Sequence, residues 1–140
     1  MNFEYLNSSY VVVCCGNILR GDDGVGSFFF KKYSNTLTCI DAGGGTSTVL
    51  HMVACTDNNI SQLVIVDGGD FNGTPGEIRM VTKEDLNHIE MYRKLPSNIS
   101  VTAVVIQVKN TQVHYGLSPE LKDKLPAVYH MVTTLLEGIP

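Results

Sequence analysis

The chain has 140 residues, of which 44% are hydrophobic and 17% are charged, and its formal net charge at pH 7 is -4. This length and composition are typical of a globular domain and exclude disordered, collagen-like and coiled-coil proteins. The acidic balance and the absence of a basic run argue against a nucleic-acid partner. We therefore expect a single domain over residues 1–140.

The first nine residues carry no positively charged segment, and the apolar run after them is much shorter than a membrane span. These observations predict a cytoplasmic protein without a membrane span. The four cysteines include no CxxC pair of the kind found in zinc and redox motifs. We expect these cysteines to be buried, reduced thiols.

Short apolar runs alternate with segments of helical periodicity along the chain. Strands are predicted at residues 10–15, 36–40, 63–66, 77–81 and 101–108. Helices are predicted at about 24–33, 46–55, 84–92 and 118–136, and Pro126 should kink or split the last one. The pattern predicts an α/β fold with three layers, in which a mostly parallel, twisted sheet of about five strands carries helices on both faces.

Acidic residues follow three of the predicted strands. They are Asp22 and Asp23 after the first strand, Asp41 after the second, and Asp67 and Asp70 after the third. The carboxyl ends of parallel strands meet at one edge of a sheet, where crowded carboxylates repel unless a cation or a basic group neutralises them. The pattern therefore predicts a cation site, and His88 or His114 can complete a mixed Asp/His site for a divalent transition metal.

Each of these aspartates also has a structural interpretation. Asp22 or Asp23 can cap the helix that follows, because aspartate is a favoured N-cap residue. Asp67 can be a turn residue, and the glycine-rich turns around Asp41 and Asp70 favour a structural role for both.

Several common catalytic and nucleotide-binding motifs are absent from the sequence. The spacing of Gly16, Gly21 and Gly24 differs from GxGxxG, and no Gly-Lys-Ser/Thr follows. The sequence also contains no GxSxG motif, and no cysteine has basic sequence neighbours that would indicate an activated thiol.

Residues 16–26 carry the most specific motif. Their sequence, Gly-Asn-Ile-Leu-Arg-Gly-Asp-Asp-Gly-Val-Gly, resembles the Gly-Asn-x-Leu-x-x-Asp-(Asp/Glu)-Gly-x-Gly signature of the nickel-iron hydrogenase maturation endopeptidases. Segments 41–44, 64–67, 75–78 and 116–119 follow in the family's order, so the resemblance covers most of the chain. The pair Asp22 and Asp23 is most similar to the members that process F420-reducing hydrogenases of methanogens.

The resemblance implies a nickel-dependent endopeptidase that removes a C-terminal extension from the nickel-loaded precursor of a hydrogenase large subunit. In that family the protease binds the precursor's nickel through an acidic residue of the first motif, an aspartate after the third strand and a histidine. The first two positions correspond to Asp23 and Asp67, which we predict as the catalytic and metal-binding residues. The family's histidine begins a helix between the fourth and fifth strands. That segment is short here, with His88 as the nearest candidate for the third ligand and His114 as the alternative.

Two other functions are compatible with the sequence. The short histidine segment favours a non-catalytic nickel-binding or precursor-binding module for hydrogenase assembly. The fold class alone is also compatible with a metal-independent hydrolase or a ligand-binding α/β domain. Within the first motif, we expect Asp22 to cap a helix or organise the loop and Asp23 to bind the metal.

Overall fold

The computed structural model describes residues 4–136, which contain five strands of one sheet. The strands are β1 (Tyr10–Cys15), β2 (Cys39–Gly43), β3 (Gln62–Gly69), β4 (Ile78–Thr82) and β5 (Ser100–Gln107). Their order across the sheet is β2-β1-β3-β5-β4. All neighbouring pairs are parallel except β4, which runs antiparallel to β5 at the edge.

Helices cover both faces of the sheet. They are α1 (Val25–Tyr33), α2 (Thr46–Cys55), α3 (Lys83–Leu86), α4 (Glu90–Arg93), α5 (Pro119–Lys122) and α6 (Leu125–Leu136). Val11 and Val13 of β1 pack with α2, α3 and α4, whereas Val12 and Cys14 pack with α1, α5 and α6. Because β1 is buried on both faces, it is apolar without alternation. The predicted α/β fold is confirmed.

Two strands extend further toward their carboxyl ends than the sequence predicts. The second strand was expected to end before Asp41, but β2 continues to Gly43 because its backbone pairs with β1 as far as Cys15. The third strand continues to Gly69 because β5 pairs with it up to Gln107. Asp41 and Asp67 therefore lie inside strands, close to their ends.

The predicted helical segments are confirmed, with two of them divided. Residues 84–92 contain the short helices α3 and α4, and the last segment is split into α5 and α6. Pro126 is the second residue of α6, where its missing N–H leaves no hydrogen bond broken. Within residues 4–136, no helix combines the length and the apolar character needed to cross a bilayer.

The site described below depends on how closely α1 packs on the sheet. A Cβ atom at Gly26 would lie 2.3 Å from the carbonyl oxygen of Cys15 and 2.7 Å from that of Val66. Only glycine permits this approach, so α1 begins directly against the ends of β1 and β3. The loop that precedes α1 is thereby held over the same edge.

Candidate functional site

Gly16 joins the end of β1 to the loop of residues 16–24 and has a positive φ of 116°. A Cβ atom at this position would lie 1.8 Å from the carbonyl oxygen of Asp23 and 3.6 Å from Oδ1 of Asp67. Both the backbone angle and the lack of space require glycine. The loop and the end of β3 therefore meet across Gly16, which brings Asp23 and Asp67 to the same place.

The carboxylate of Asp23 is oriented by its own loop. The backbone N–H of Asn17 donates a hydrogen bond to Oδ2 of Asp23 at 2.8 Å. The Asn17 side chain in turn accepts a hydrogen bond from the Leu19 N–H at 2.9 Å. Within residues 4–136, Oδ1 of Asp23 has no hydrogen-bond donor, so this oxygen is available to a ligand.

Asp67 is half-buried, and its pKa is raised from 3.8 to about 6. Burial is the main cause, and the negative charge of Asp23 adds to it, while the Gly68 N–H opposes both by hydrogen bonding. Two carboxylates that repel each other in a partly desolvated place are typical of a site that accepts a cation or a proton.

The raised pKa of Asp67 predicts a stability change in the metal-free protein. The folded chain holds this proton more tightly than the unfolded chain, so the contribution to stability is complete below pH 3.8 and is lost as the pH rises through about 6. Because one pKa unit corresponds to roughly 1.4 kcal/mol, Asp67→Asn should raise the free energy of unfolding at pH 7 by about 3 kcal/mol. Urea unfolding at pH 4 and pH 7 measures this difference, which should disappear at pH 4. An equal effect at both pH values would contradict the prediction.

Asp22 faces away from this pair and is buried. Its carboxylate accepts hydrogen bonds from the backbone N–H groups of Lys109, Asn110 and Ser118 and from the Ser118 hydroxyl, at 2.7 to 3.1 Å. Burial by itself would raise the pKa of Asp22, but these hydrogen bonds outweigh it and lower the pKa. Asp22 therefore organises the loops, as expected, and neither Asp22 nor Asp23 caps α1.

Asp41 and Asp70 have structural contacts that agree with the structural interpretation. Oδ1 of Asp41 accepts a hydrogen bond from the Ser27 hydroxyl at 2.8 Å, which joins β2 to α1. Oδ1 of Asp70 accepts hydrogen bonds from the Asn72 N–H and from the Gln107 side chain.

Neither histidine candidate is part of a preformed site. His88 is exposed in the turn between α3 and α4. His114 is also exposed, although its backbone is joined to the 16–24 loop by hydrogen bonds with Leu19 and Gly21 at 3.0 and 2.7 Å. In the described part of the chain, no group of three or more His, Cys, Asp or Glu side chains is arranged to hold a metal ion. The structure thus brings Asp23 and Asp67 together, and the third ligand stays a prediction.

Tyr92 is a further residue near the site that sequence reasoning missed. It is buried in α4, and its pKa is raised to about 12 mainly by burial, with smaller contributions from nearby Cys15 and Asp67. Tyr92 therefore lies near Asp67. The only sequence signal was its spacing of three residues from Ile89 and six from Leu86, which places all three on one helical face.

The cysteines agree only partly with the expectation of buried thiols. Cys14 and Cys15 are buried, Cys39 is half-buried and Cys55 is exposed, and all four are free. The Thr46 hydroxyl donates a hydrogen bond to Sγ of Cys15 at 3.0 Å. The chain turns into α2 at Gly45 without a side-chain cap.

Comparisons with known proteins agree with the motif at residues 16–26. A family model described as hydrogenase maturation protease matches residues 29–97. The hydrogenase 3 maturation protease of Escherichia coli K12 is 29% identical over 118 residues, which cover 79% of this chain and 73% of that protein. The coenzyme F420 hydrogenase subunit delta of Methanothermobacter thermautotrophicus is 25% identical over 150 residues, which cover 90% of this chain and 93% of that protein.

Solved structures share the fold. The hydrogenase maturating endopeptidase HybD from E. coli matches with a TM-score of 0.73 at 18% identity, over 94% of each chain. At this level of identity the structural match shows the fold alone.

Proposed function

We propose that this chain, a member of the hydrogenase maturation protease family, removes a C-terminal extension from the nickel-loaded precursor of a hydrogenase large subunit. The observation that carries the proposal is the pair of Asp23 and Asp67 at the carboxyl ends of the strands, with Gly16 between them. The hydrogenase maturation protease model that matches residues 29–97 and the relatives with that name support the family predicted from residues 16–26, whose activity is peptide-bond hydrolysis.

Nickel is proposed as a part of the substrate. The described residues offer two carboxylates and no third side chain in a preformed site. A divalent cation normally needs at least four ligands, so the remaining ligands must come from the precursor or from water. The raised pKa of Asp67 supports this arrangement, because a cation between the two carboxylates would offset the repulsion from Asp23.

The two aspartates would then position the peptide that is cut. When Asp23 and Asp67 bind the precursor's nickel, the scissile segment is held at the edge of the sheet, which raises its effective concentration. A bound nickel ion supplies Lewis acidity for the attack of water on the peptide bond. A precursor without nickel would lack this attachment, so cleavage would follow nickel insertion.

The experiment is co-expression of the chain with the large-subunit precursor of the same organism, with and without nickel in the medium. Mass spectrometry of the precursor should show loss of the C-terminal segment only when both the chain and nickel are present. Cleavage that is equally fast without nickel would contradict the role of the metal.

The exposed position of His88 keeps one alternative function open, a non-catalytic module that binds nickel or the precursor. That alternative predicts a different result in the same experiment. The precursor would keep its full mass and would co-purify with the chain.

The type of hydrogenase that is processed and the location of the chain in the cell are further predictions. The pair Asp22 and Asp23 favours an F420-reducing hydrogenase as the substrate, and one relative is a coenzyme F420 hydrogenase subunit delta. Another relative is a hydrogenase 3 maturation protease, which favours a different substrate. Co-expression with each type of precursor separates these substrates. The cytoplasmic location predicted from the sequence is consistent with this substrate.

A further inference from the structure

A groove of about 430 Å³ runs between α1 and the segment that leads from the 108–118 loop into α6. Its apolar lining includes Phe28, Leu117 and Leu125. Leu117 directly precedes Ser118, whose N–H and hydroxyl hold Asp22 beside Asp23. The groove therefore begins next to the loop that carries the metal-binding aspartate.

Lysines surround this groove. Lys31, Lys32 and Lys122 line it, and among the described residues its lining contains no carboxylate. None of the three forms an ion pair with another described residue, although the whole chain has a net charge of -4. This concentration of positive charge on an acidic protein favours a ligand that carries carboxylates.

Lys31 is held in place before any ligand arrives. Its Nζ donates a hydrogen bond to the Tyr115 hydroxyl at 3.0 Å and lies 5.6 Å from the ring centroid of Phe28 and 5.4 Å from that of Tyr115. The two rings contact each other edge to face, with centroids 5.4 Å apart. An ammonium group fixed in this way loses less conformational entropy when it binds an anion.

We propose that this groove, here called the lysine groove, binds the C-terminal end of the precursor's extension through its terminal carboxylate. The proposal rests on the proposed function, because a segment removed from the end of a chain always carries a free carboxylate. The ammonium groups of Lys31 and Lys122 would pair with that carboxylate, and Phe28, Leu117 and Leu125 would contact apolar side chains of the extension. The site would then hold the precursor on both sides of the bond to be cut, by the nickel on one side and by the terminal carboxylate on the other.

The dimensions fit an extended peptide. Lys31 lies eight residues after Asp23, which corresponds to about 12 Å along a helix axis. An extended chain covers this distance with about four residues, at roughly 3.3 Å per residue. An extension longer than about four residues can therefore reach from the aspartate pair to the lysine groove.

The first test measures peptide binding without cleavage. The probe is a fluorescent peptide with the sequence of the co-expressed precursor's extension, made both as the free acid and as the C-terminal amide. Its anisotropy is measured with Asp23→Asn protein, which is expected not to cut it. The free acid should bind about fivefold more tightly than the amide, because two partly exposed charge pairs are lost in the amide. Adding Lys31→Gln and Lys122→Gln should remove this preference.

A matched control removes two positive charges from the opposite face of the sheet. Arg93→Gln/Lys94→Gln changes the last residue of α4 and the residue after it, on the sheet face that carries Val11 and Val13, and it should keep the preference for the free acid. Equal binding of the two peptides, or a preference that survives the substitutions at Lys31 and Lys122, would overturn the proposal.

The second test measures processing of the nickel-loaded precursor. Lys31→Gln/Lys122→Gln should raise KM by about fivefold and leave kcat unchanged, since the lost contacts bind the substrate away from the scissile bond. An unchanged KM would also overturn the proposal. If the wild-type chain cuts no precursor, the proposed function fails instead, and the anisotropy measurements still report on the lysine groove separately.

Discussion

Replacing Asp23 or Asp67 with asparagine is expected to abolish processing of the nickel-loaded precursor while leaving the fold intact. Each substitution removes the negative charge that attracts nickel and leaves an amide, which is a weak ligand for a transition metal. Losing a residue that merely supports a metal ligand costs 10- to 100-fold, so losing a ligand should slow processing by more than about 100-fold. The rate is measured by mass spectrometry of the purified precursor over time.

Asp70→Asn is the matched control for these two variants. Asp70 also follows β3, but it is exposed and bonds to Asn72 and Gln107. Its substitution should leave the processing rate within about twofold, since surface substitutions have small effects. Full processing by Asp23→Asn or Asp67→Asn would falsify the assignment of the site. The metal-free Asp67→Asn protein should at the same time be more stable than wild type at pH 7, so that lost activity cannot be attributed to unfolding.

Asp22→Ala is expected to lower the free energy of unfolding by about 4 kcal/mol, since hydrogen bonds to a buried charged group contribute roughly 1.5–3 kcal/mol each and are not additive. The substitution removes the acceptor of four hydrogen bonds, three of them from backbone N–H groups and one from the Ser118 hydroxyl. Urea unfolding followed by circular dichroism measures this change.

Asp22→Asn keeps the size of the side chain and therefore tests the contribution of the hydrogen bonds to the free energy of unfolding. Three of the four bonds end on Oδ2 and one on Oδ1, so an amide that keeps its oxygen at the Oδ2 position retains three. The expected loss of unfolding free energy is therefore smaller, about 1–2 kcal/mol.

Because the pKa of Asp22 is lowered, the contribution of its carboxylate to stability is present above its unfolded pKa and is lost as the pH falls. Asp57→Ala, at an exposed position, is the control, and a loss as small as in that control would contradict the role of Asp22.

The sequence predicted the sheet because its central strands are uninterrupted apolar runs, such as residues 63–66, that only a two-sided core can bury. The motif of residues 16–26 also led us to predict different roles for Asp22 and Asp23. The predicted carboxyl ends of β2 and β3 were too early because both strands end in glycine, which has low strand propensity. Pairing with β1 extends β2 to Gly43, and pairing with β5 extends β3 to Gly69.

The environment of the site could be predicted less well. Tyr92 and the partners of Asp22 are brought in by tertiary packing, and no local pattern marks a side chain that acts across the sheet edge. The histidine positions could not be chosen from sequence, because exposure depends on how the turns around His88 and His114 fold.

The hydrogen bonds of Asp22 also determine which parts of the chain can change in length. They fasten the 16–24 loop to residues 109–118, so an insertion or deletion between Lys109 and Ser118 would displace Asp23. Among the described residues, segment 83–99 makes no hydrogen bond to the 16–24 loop, and its Tyr92 lies near Asp67. That segment can shorten without moving the aspartate pair. The position of His88 can therefore change while Asp23 and Asp67 keep theirs.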